Sequence, residues 1–364
     1  MAGSVEHGPV QHGPDEHAPV EQAPAEPGPA EPGPVRRASV EPGPVEHGPV
    51  RRASVEPGPV ERGPVRRASV EPAPVEHAPV EPGSVEPVLV GTDGSPAADR
   101  AVRWAADDAA RHRRPLLVAH VVEPWLHDWP SAGPPGRDDV AAERGRALLA
   151  RARDLARERH PELAVDVRLV RESSAHHGIR SLADGTYEVV LGHRGLGGFA
   201  GLVLGSTSLH LAGDLRGPVV VVRGAADPGA DEIVAGLGLR ESPMSVLAYA
   251  FEAAAARRAR LRVVHAWWPT RPDLEAGADL DGAQAAFRDH VTAALEPWRN
   301  RRPEVKVVED VFRGHPVEAL LTRSAEADLV VVGRRTRTGP HLGSVSHGLI
   351  QQARCPVAVV RPRR

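Results

Sequence analysis

The chain has 364 residues, with 45 Lys plus Arg against 48 Asp plus Glu and 41% hydrophobic residues, a length that suits two or three domains. The near balance of charge argues against a dedicated nucleic-acid binder. A single cysteine, Cys355, excludes a disulfide framework and fits a reducing compartment. No basic leader with an apolar run opens the chain, and no stretch approaches roughly eighteen uninterrupted apolar residues, so a cytoplasmic protein with no membrane partner is expected.

Residues 1–86 lack Leu, Ile, Phe, Trp and Tyr and hold 18 of the 37 prolines, so they cannot bury a core and are expected to be disordered. A five-residue beat is overlaid there by Arg-Arg-Ala-Ser-Val, recurring from Arg36, Arg51 and Arg66. Its period is too short for a solenoid unit, and its prolines favour extended polyproline II. Ser39, Ser54 and Ser69 each follow an Arg pair, the pattern of basic-directed kinase substrates, where a phosphate would pair with arginine. Tandem duplication of a neutral linker explains the same repeat.

The remainder repeats itself as two halves, 87–224 and 231–362. Each opens with an apolar run, Pro87 to Gly91 and Ile233 to Gly236. Each closes alike, Tyr187 to Gly192 then Gly217-Pro-Val-Val-Val-Val-Arg223, and Asp328 to Gly333 then Cys355-Pro-Val-Ala-Val-Val-Arg361. Val/Leu strands alternating with helical stretches read as parallel strands covered on both faces. Strands are predicted near 87–92, 115–122, 163–170, 187–192 and 218–222, with the second half in parallel. The first helix should start at Ser95 as N-cap with Pro96 at its first position, its stripe formed by Ala98, Ala101, Val102, Ala105 and Ala109.

In open parallel sheets, ligands bind beyond the carboxyl ends of the strands where strand order reverses, which directs attention to the loops after strands one and four. The first strand ends Gly91-Thr92-Asp93-Gly94-Ser95, placing a carboxylate where it can accept hydrogen bonds from ribose hydroxyls. The fourth ends in G-x2-G-x9-G-S, with glycines at 192, 195 and 205, and Ser206, Thr207 and Ser208 open a helix. Glycines let backbone approach phosphate, and a helix start with hydroxyls supplies donors at its positive end.

This combination closely resembles the universal stress protein family in its tandem, two-domain actinobacterial form. Val88 to Ser95, Ala101 to Ala105, the Gly192 to Ser208 loop, Leu342 to Ser346 and Cys355-Pro-Val-Ala-Val carry the resemblance, which covers residues 87 to 362. It implies two doubly wound α/β domains of the adenine nucleotide alpha-hydrolase-like type, each with a five-stranded parallel sheet ordered 3-2-1-4-5. It implies ATP binding, with or without Mg2+, in the first domain. Thr92 and Asp93 would then meet the ribose and adenine side and Val121 the adenine through its backbone. Gly192, Gly195, Gly205, Ser206, Thr207 and Ser208 would hold the phosphates. The family often dimerises along the fifth strand, which leaves open a homodimer or the same pairing within one chain.

The second half departs from this pattern. Gly238 stands where the Asp would be, Thr336 replaces the second Gly, and the x9 spacing shrinks to six before Gly343-Ser344, so one competent site per chain is expected. Arg334, Arg335 and Arg337 read as a solvated loop. His176-His177 reads as a solvent-facing loop pair rather than a metal site, and Cys355 as a buried structural thiol. No metal ligands and no catalytic group are assigned. The leading expectation is an adenine-nucleotide-binding regulator of a stress or dormancy response that acts through unknown protein partners. The alternatives are a weak ATPase or adenylyl transferase, disfavoured by the want of a phosphate-loop lysine, and a phosphorylatable scaffold working through the repeat arm.

Overall fold

A computed structural model describes residues 85–123, 137–196, 204–224, 229–238, 243–269, 271–275, 277–334 and 342–361. The repeat arm with Ser39, Ser54 and Ser69, and the loop residues Arg335, Thr336 and Arg337, lie outside them.

In the first half β1 (Val88–Gly91), β2 (Leu116–Val122), β3 (Val165–Arg171), β4 (Glu188–Gly192) and β5 (Val219–Val222) alternate with α1 (Pro96–His112), α2 (Arg137–Arg159), α3 (Ala175–Ala183) and α4 (Ser206–Asp214). In the second, β6 (Glu232–Gly236), β7 (Arg260–Trp267), β8 (Val307–Arg313), β9 (Leu329–Gly333) and β10 (Val357–Val360) alternate with α5 (Met244–Arg257), the short α6 (Arg271–Glu275), α7 (Leu280–Arg301), α8 (Pro316–Arg323) and α9 (Ser344–Gln352). The sheet order is β3-β2-β1-β4-β5-β10-β9-β6-β7-β8, so each half has the expected 3-2-1-4-5 order. Pairing within each half is parallel.

The α1 start follows its local code. Ser95 Oγ accepts from the Ala98 amide at 3.1 Å, Pro96 takes the first helical position, and the alanine and valine stripe is buried. The His176-His177 pair was expected in a loop. Ser174 instead caps α3 by accepting from the His177 amide, and both histidines lie in the first turn of that helix. His176 stacks on His210 of α4, ring centroids 5.3 Å apart.

The strand edges where the halves meet are joined. β5 and β10 pair antiparallel, Val221 with Val357 and Val219 with Val359, which makes one ten-stranded sheet. Alternation along its strands splits the core into two layers, each running through both halves. Val88, Val90, Val220, Val222, Ala358 and Val360 face one layer, and Leu89, Val219, Val221, Val357 and Val359 face the other. The two arginines that end these strands reach across reciprocally. Arg223 donates to the carbonyls of Ile350 (3.0 Å) and Ala353 (3.2 Å) at the end of α9, and Arg361 to Asp214 O at the end of α4 (3.4 Å), where cations complement the helix dipole.

A buried polar cluster locks α1 to α5. Arg257 pairs with Asp108, and both side chains are almost fully buried. His112 Nδ1 lies 3.0 Å from Asp108 Oδ2, Tyr249 donates its hydroxyl to Glu188, and Tyr187 stacks on Tyr249 with ring centroids 6.4 Å apart. Burial alone would raise the Asp108 carboxyl, but the Arg257 charge and His112 outweigh it and hold it well below the ordinary range. Glu188 is pushed up by burial and by the neighbouring Asp108 charge.

Removing one partner of a buried pair leaves a charge uncompensated, so Arg257→Ala should cost about 3–5 kcal/mol in urea unfolding. Glu188 binds its proton more tightly folded than unfolded, so its contribution favours the fold as pH falls and weakens as pH rises above the ordinary glutamate value. Glu188→Gln should therefore flatten the decline of the urea midpoint between about pH 5 and pH 8; an unchanged slope would show that Glu188 does not titrate in the fold.

Candidate functional site

The carboxyl ends of β1 and β4 lie side by side where the strand order reverses, and the segments leaving them interlock. Thr92 donates its amide to Ala119 O (2.9 Å), and its own carbonyl lies 2.8 Å from His120 Nδ1. Thr92 Oγ1 accepts from the Gly94 amide (3.2 Å), and Gly94 turns the chain at φ +79°. Asp93 Oδ1 accepts from the Ser95 amide (3.0 Å) and Oδ2 from the Leu196 amide (2.7 Å). The carboxylate thus holds the post-β4 loop over the end of β1, while each oxygen keeps a second lone pair for a ligand hydroxyl.

Two glycines are demanded by this interlock. A Cβ on Gly195 would lie 2.5 Å from Asp93 Oδ2, and one on Gly192 would lie 2.8 Å from the Ala97 backbone at the start of α1. Gly205 is different. Among the described residues a Cβ there would meet nothing nearer than His193 O at 3.6 Å, so no contact among them requires a glycine.

Gly205 is the N-cap of α4 and supplies no side chain, so the first-turn amides of Ser206, Thr207 and Ser208 have no partner within the helix. Of the three hydroxyls, Ser208 is turned inward, buried and donating to Gly192 O at 2.7 Å. It fastens α4 to the end of β4. Val121 lies in β2 opposite Val170, and its side chain fills the space beside Gly178. Burial lowers the His193 pKa below the ordinary histidine value, with the charges of Arg223, Arg100 and Arg194 adding to it.

The second half repeats this frame without its chemistry. The Leu237 amide donates to Val264 O as Thr92 does to Ala119, Ser346 donates to Gly333 O (2.9 Å) as Ser208 does to Gly192, and His265 Nδ1 lies 2.8 Å from Leu237 O. By this correspondence Leu237 stands at the Thr92 position and Gly238 at that of Asp93. A cavity of about 710 Å³ opens at this second position, unsignalled by any motif.

The model of the universal stress protein family matches residues 84–223 and 230–361. The chain belongs to the universal stress protein family. A universal stress protein of Mycolicibacterium smegmatis is 37% identical over 291 residues, covering 76% of this chain and 97% of its own. One of Mycobacterium tuberculosis is 35% identical over 285 residues, covering 75% and 96%. The crystal structure of a universal stress protein from Archaeoglobus fulgidus covers 76% of this chain and 96% of its own, with a TM-score of 0.58 at 17% identity, a likeness of fold. Among the described residues no helix is long and apolar enough to cross a membrane, and no group of His, Cys, Asp and Glu could hold a metal ion.

Cys355 is buried, and burial pushes its thiol up to about 12, which makes it a poor nucleophile.

Because a methyl group at position 195 would collide with Asp93, Gly195→Ala should break the Leu196 amide bond to that carboxylate. The Leu196 amide should then exchange hydrogen faster than in the wild type, and unchanged protection would mean that the loop does not depend on Asp93.

Proposed function

We propose that the first half binds one adenine nucleotide, ATP with or without Mg2+, and that this universal stress protein acts as a nucleotide-responsive regulator through protein partners rather than by turnover. The observation that carries the reading is the loop after β4, whose Leu196 amide is held by the Asp93 carboxylate and which enters α4 through Gly205, an N-cap with no side-chain cap bond. Peptide amides at a helix start and a carboxylate at the end of the first strand suit the two poles of a nucleotide, phosphate and ribose. Ser206 and Thr207 would add hydroxyl donors to the phosphates, Gly192 and Gly195 would keep the loop close to β1, and Val121 would offer backbone to the base.

The residues favour binding over catalysis. Phosphoryl transfer needs cations to neutralise the charge that develops on the transferred group; Lys306, the only lysine in the chain, precedes β8 in the other half, and the loop itself carries the Arg194 charge beside His193. The second half, with Gly238 in place of the carboxylate, would bind no nucleotide and would complete the sheet.

Calorimetric titration of ATP into the full chain tests the reading. One site per chain is expected, with affinity at least tenfold weaker in Asp93→Ala and binding abolished in Gly205→Val, whose side chain occupies the phosphate space. Turnover of labelled ATP should stay at the level of the Gly205→Val control. Absence of wild-type binding, or two equal sites that survive both changes, would overturn it.

A further inference from the structure

The cavity of about 710 Å³ in the second half lies at the carboxyl ends of β6, β7 and β9, within the size range of small-molecule sites. None of its described lining residues is charged; its walls are mainly Val246, Val264, Leu320, Phe287 and Trp267, with Trp268 at its edge. The aromatic wall is built to hold its shape. Trp267 donates its indole N–H to Gln284 (3.2 Å), which donates in turn to Val311 O (2.9 Å). Phe287 packs on Trp267 and on His265, with ring centroids 5.0 and 5.1 Å apart. Trp268 is 68% exposed, an unusual position for so large an apolar side chain.

One imidazole, that of His265, is among the described residues that line this space. His265 is 7% exposed, and its Nδ1 lies against Leu237 O, which can only accept, so Nδ1 carries the proton and Nε2 is left as an acceptor. Among the described residues Nε2 is buried with no hydrogen-bond partner. A buried acceptor without a donor is costly, and a ligand N–H or O–H would satisfy it. The described walls offer a ligand apolar and aromatic surface and no charged side chain.

We propose that this cavity is a second ligand site, for a neutral, flat aromatic molecule bearing one hydrogen-bond donor, such as a phenol or aryl amine, held between the aromatic wall and His265 Nε2. The site is separate from the nucleotide site of the first half. It keeps the fold's binding position without the carboxylate that the first half would offer a ribose, since Leu237 and Gly238 stand at the positions of Thr92 and Asp93.

N-phenyl-1-naphthylamine, neutral and carrying one N–H, is a suitable probe, titrated into the full chain by its fluorescence. The expected result is saturable, blue-shifted emission at one site per chain. The N-methylated analogue, which lacks the donor, should bind roughly tenfold more weakly. Gly238→Leu should abolish binding, because a Cβ at Gly238 meets no described atom within 4 Å and a larger side chain has the cavity to enter. Ala283→Trp fills the same space from α7 and serves if Gly238→Leu loses the native circular dichroism. Excess ATP should leave the signal unchanged, which separates this site from the first. Absence of saturable emission, equal binding of the methylated analogue, binding that survives both filling substitutions, or competitive displacement by ATP would each overturn the proposal.

Discussion

The antiparallel pairing of β5 with β10 is the constraint on which the rest of the structure depends. A five-stranded parallel sheet ordered 3-2-1-4-5 leaves its fifth strand as an edge, and an open, valine-rich edge is an invitation to pair with another strand. Here two such edges close on each other. Because side chains alternate along the strands, the seam joins the core above the sheet and the core below it at once, and two half-size cores become two long ones. Larger cores bury a greater fraction of their surface. The polar contacts across the seam follow from its symmetry: each terminal arginine reaches the opposite half's last helix, and the Arg257 to Asp108 pair ties α5 to α1 where water is excluded.

The first half's site follows from strand order. Because β1 lies between β2 and β4, the chain leaves β1 and β4 toward opposite neighbours, and their ends open a crevice that neither helix layer covers. Asp93 has two duties there. It accepts amides from its own turn and from the loop after β4, which fixes the geometry of both, and under the proposed function its remaining lone pairs would meet the ribose. Such preorganisation lowers the ordering cost of binding.

Much of this was legible in the sequence. The strands fall within two residues of the predicted spans, because near-continuous Val and Leu runs bounded by Gly and Pro have few other ways to fold. The start of α1 was readable because Ser95, Pro96 and the alanine stripe agree. Other features turn on distances that no linear pattern carries. The inward turn of the Ser208 hydroxyl depends on how close α4 comes to the end of β4, and the serine triplet alone could not separate it from Ser206. His176 and His177 looked like loop residues because the capping role of Ser174 was overlooked. The cavity beside His265 arises from residues scattered over β6, β7, β9, α5, α7 and α8. Its one sequence signal was negative, the loss of an aspartate, and a missing residue does not say what fills its place.

The seam between β5 and β10 also bears on how the two halves could come to differ. In a symmetric dimer of identical chains, every substitution appears twice, and a change that spoils one ligand position spoils both. Joining the halves in one polypeptide removes that coupling and makes their association independent of dilution, because the partner strand is always tethered nearby. Gly238 could then replace a carboxylate in one half while Asp93 stayed in the other, with the sheet intact throughout. Duplication followed by fusion leaves one copy to keep the inherited chemistry and the other free to acquire its own.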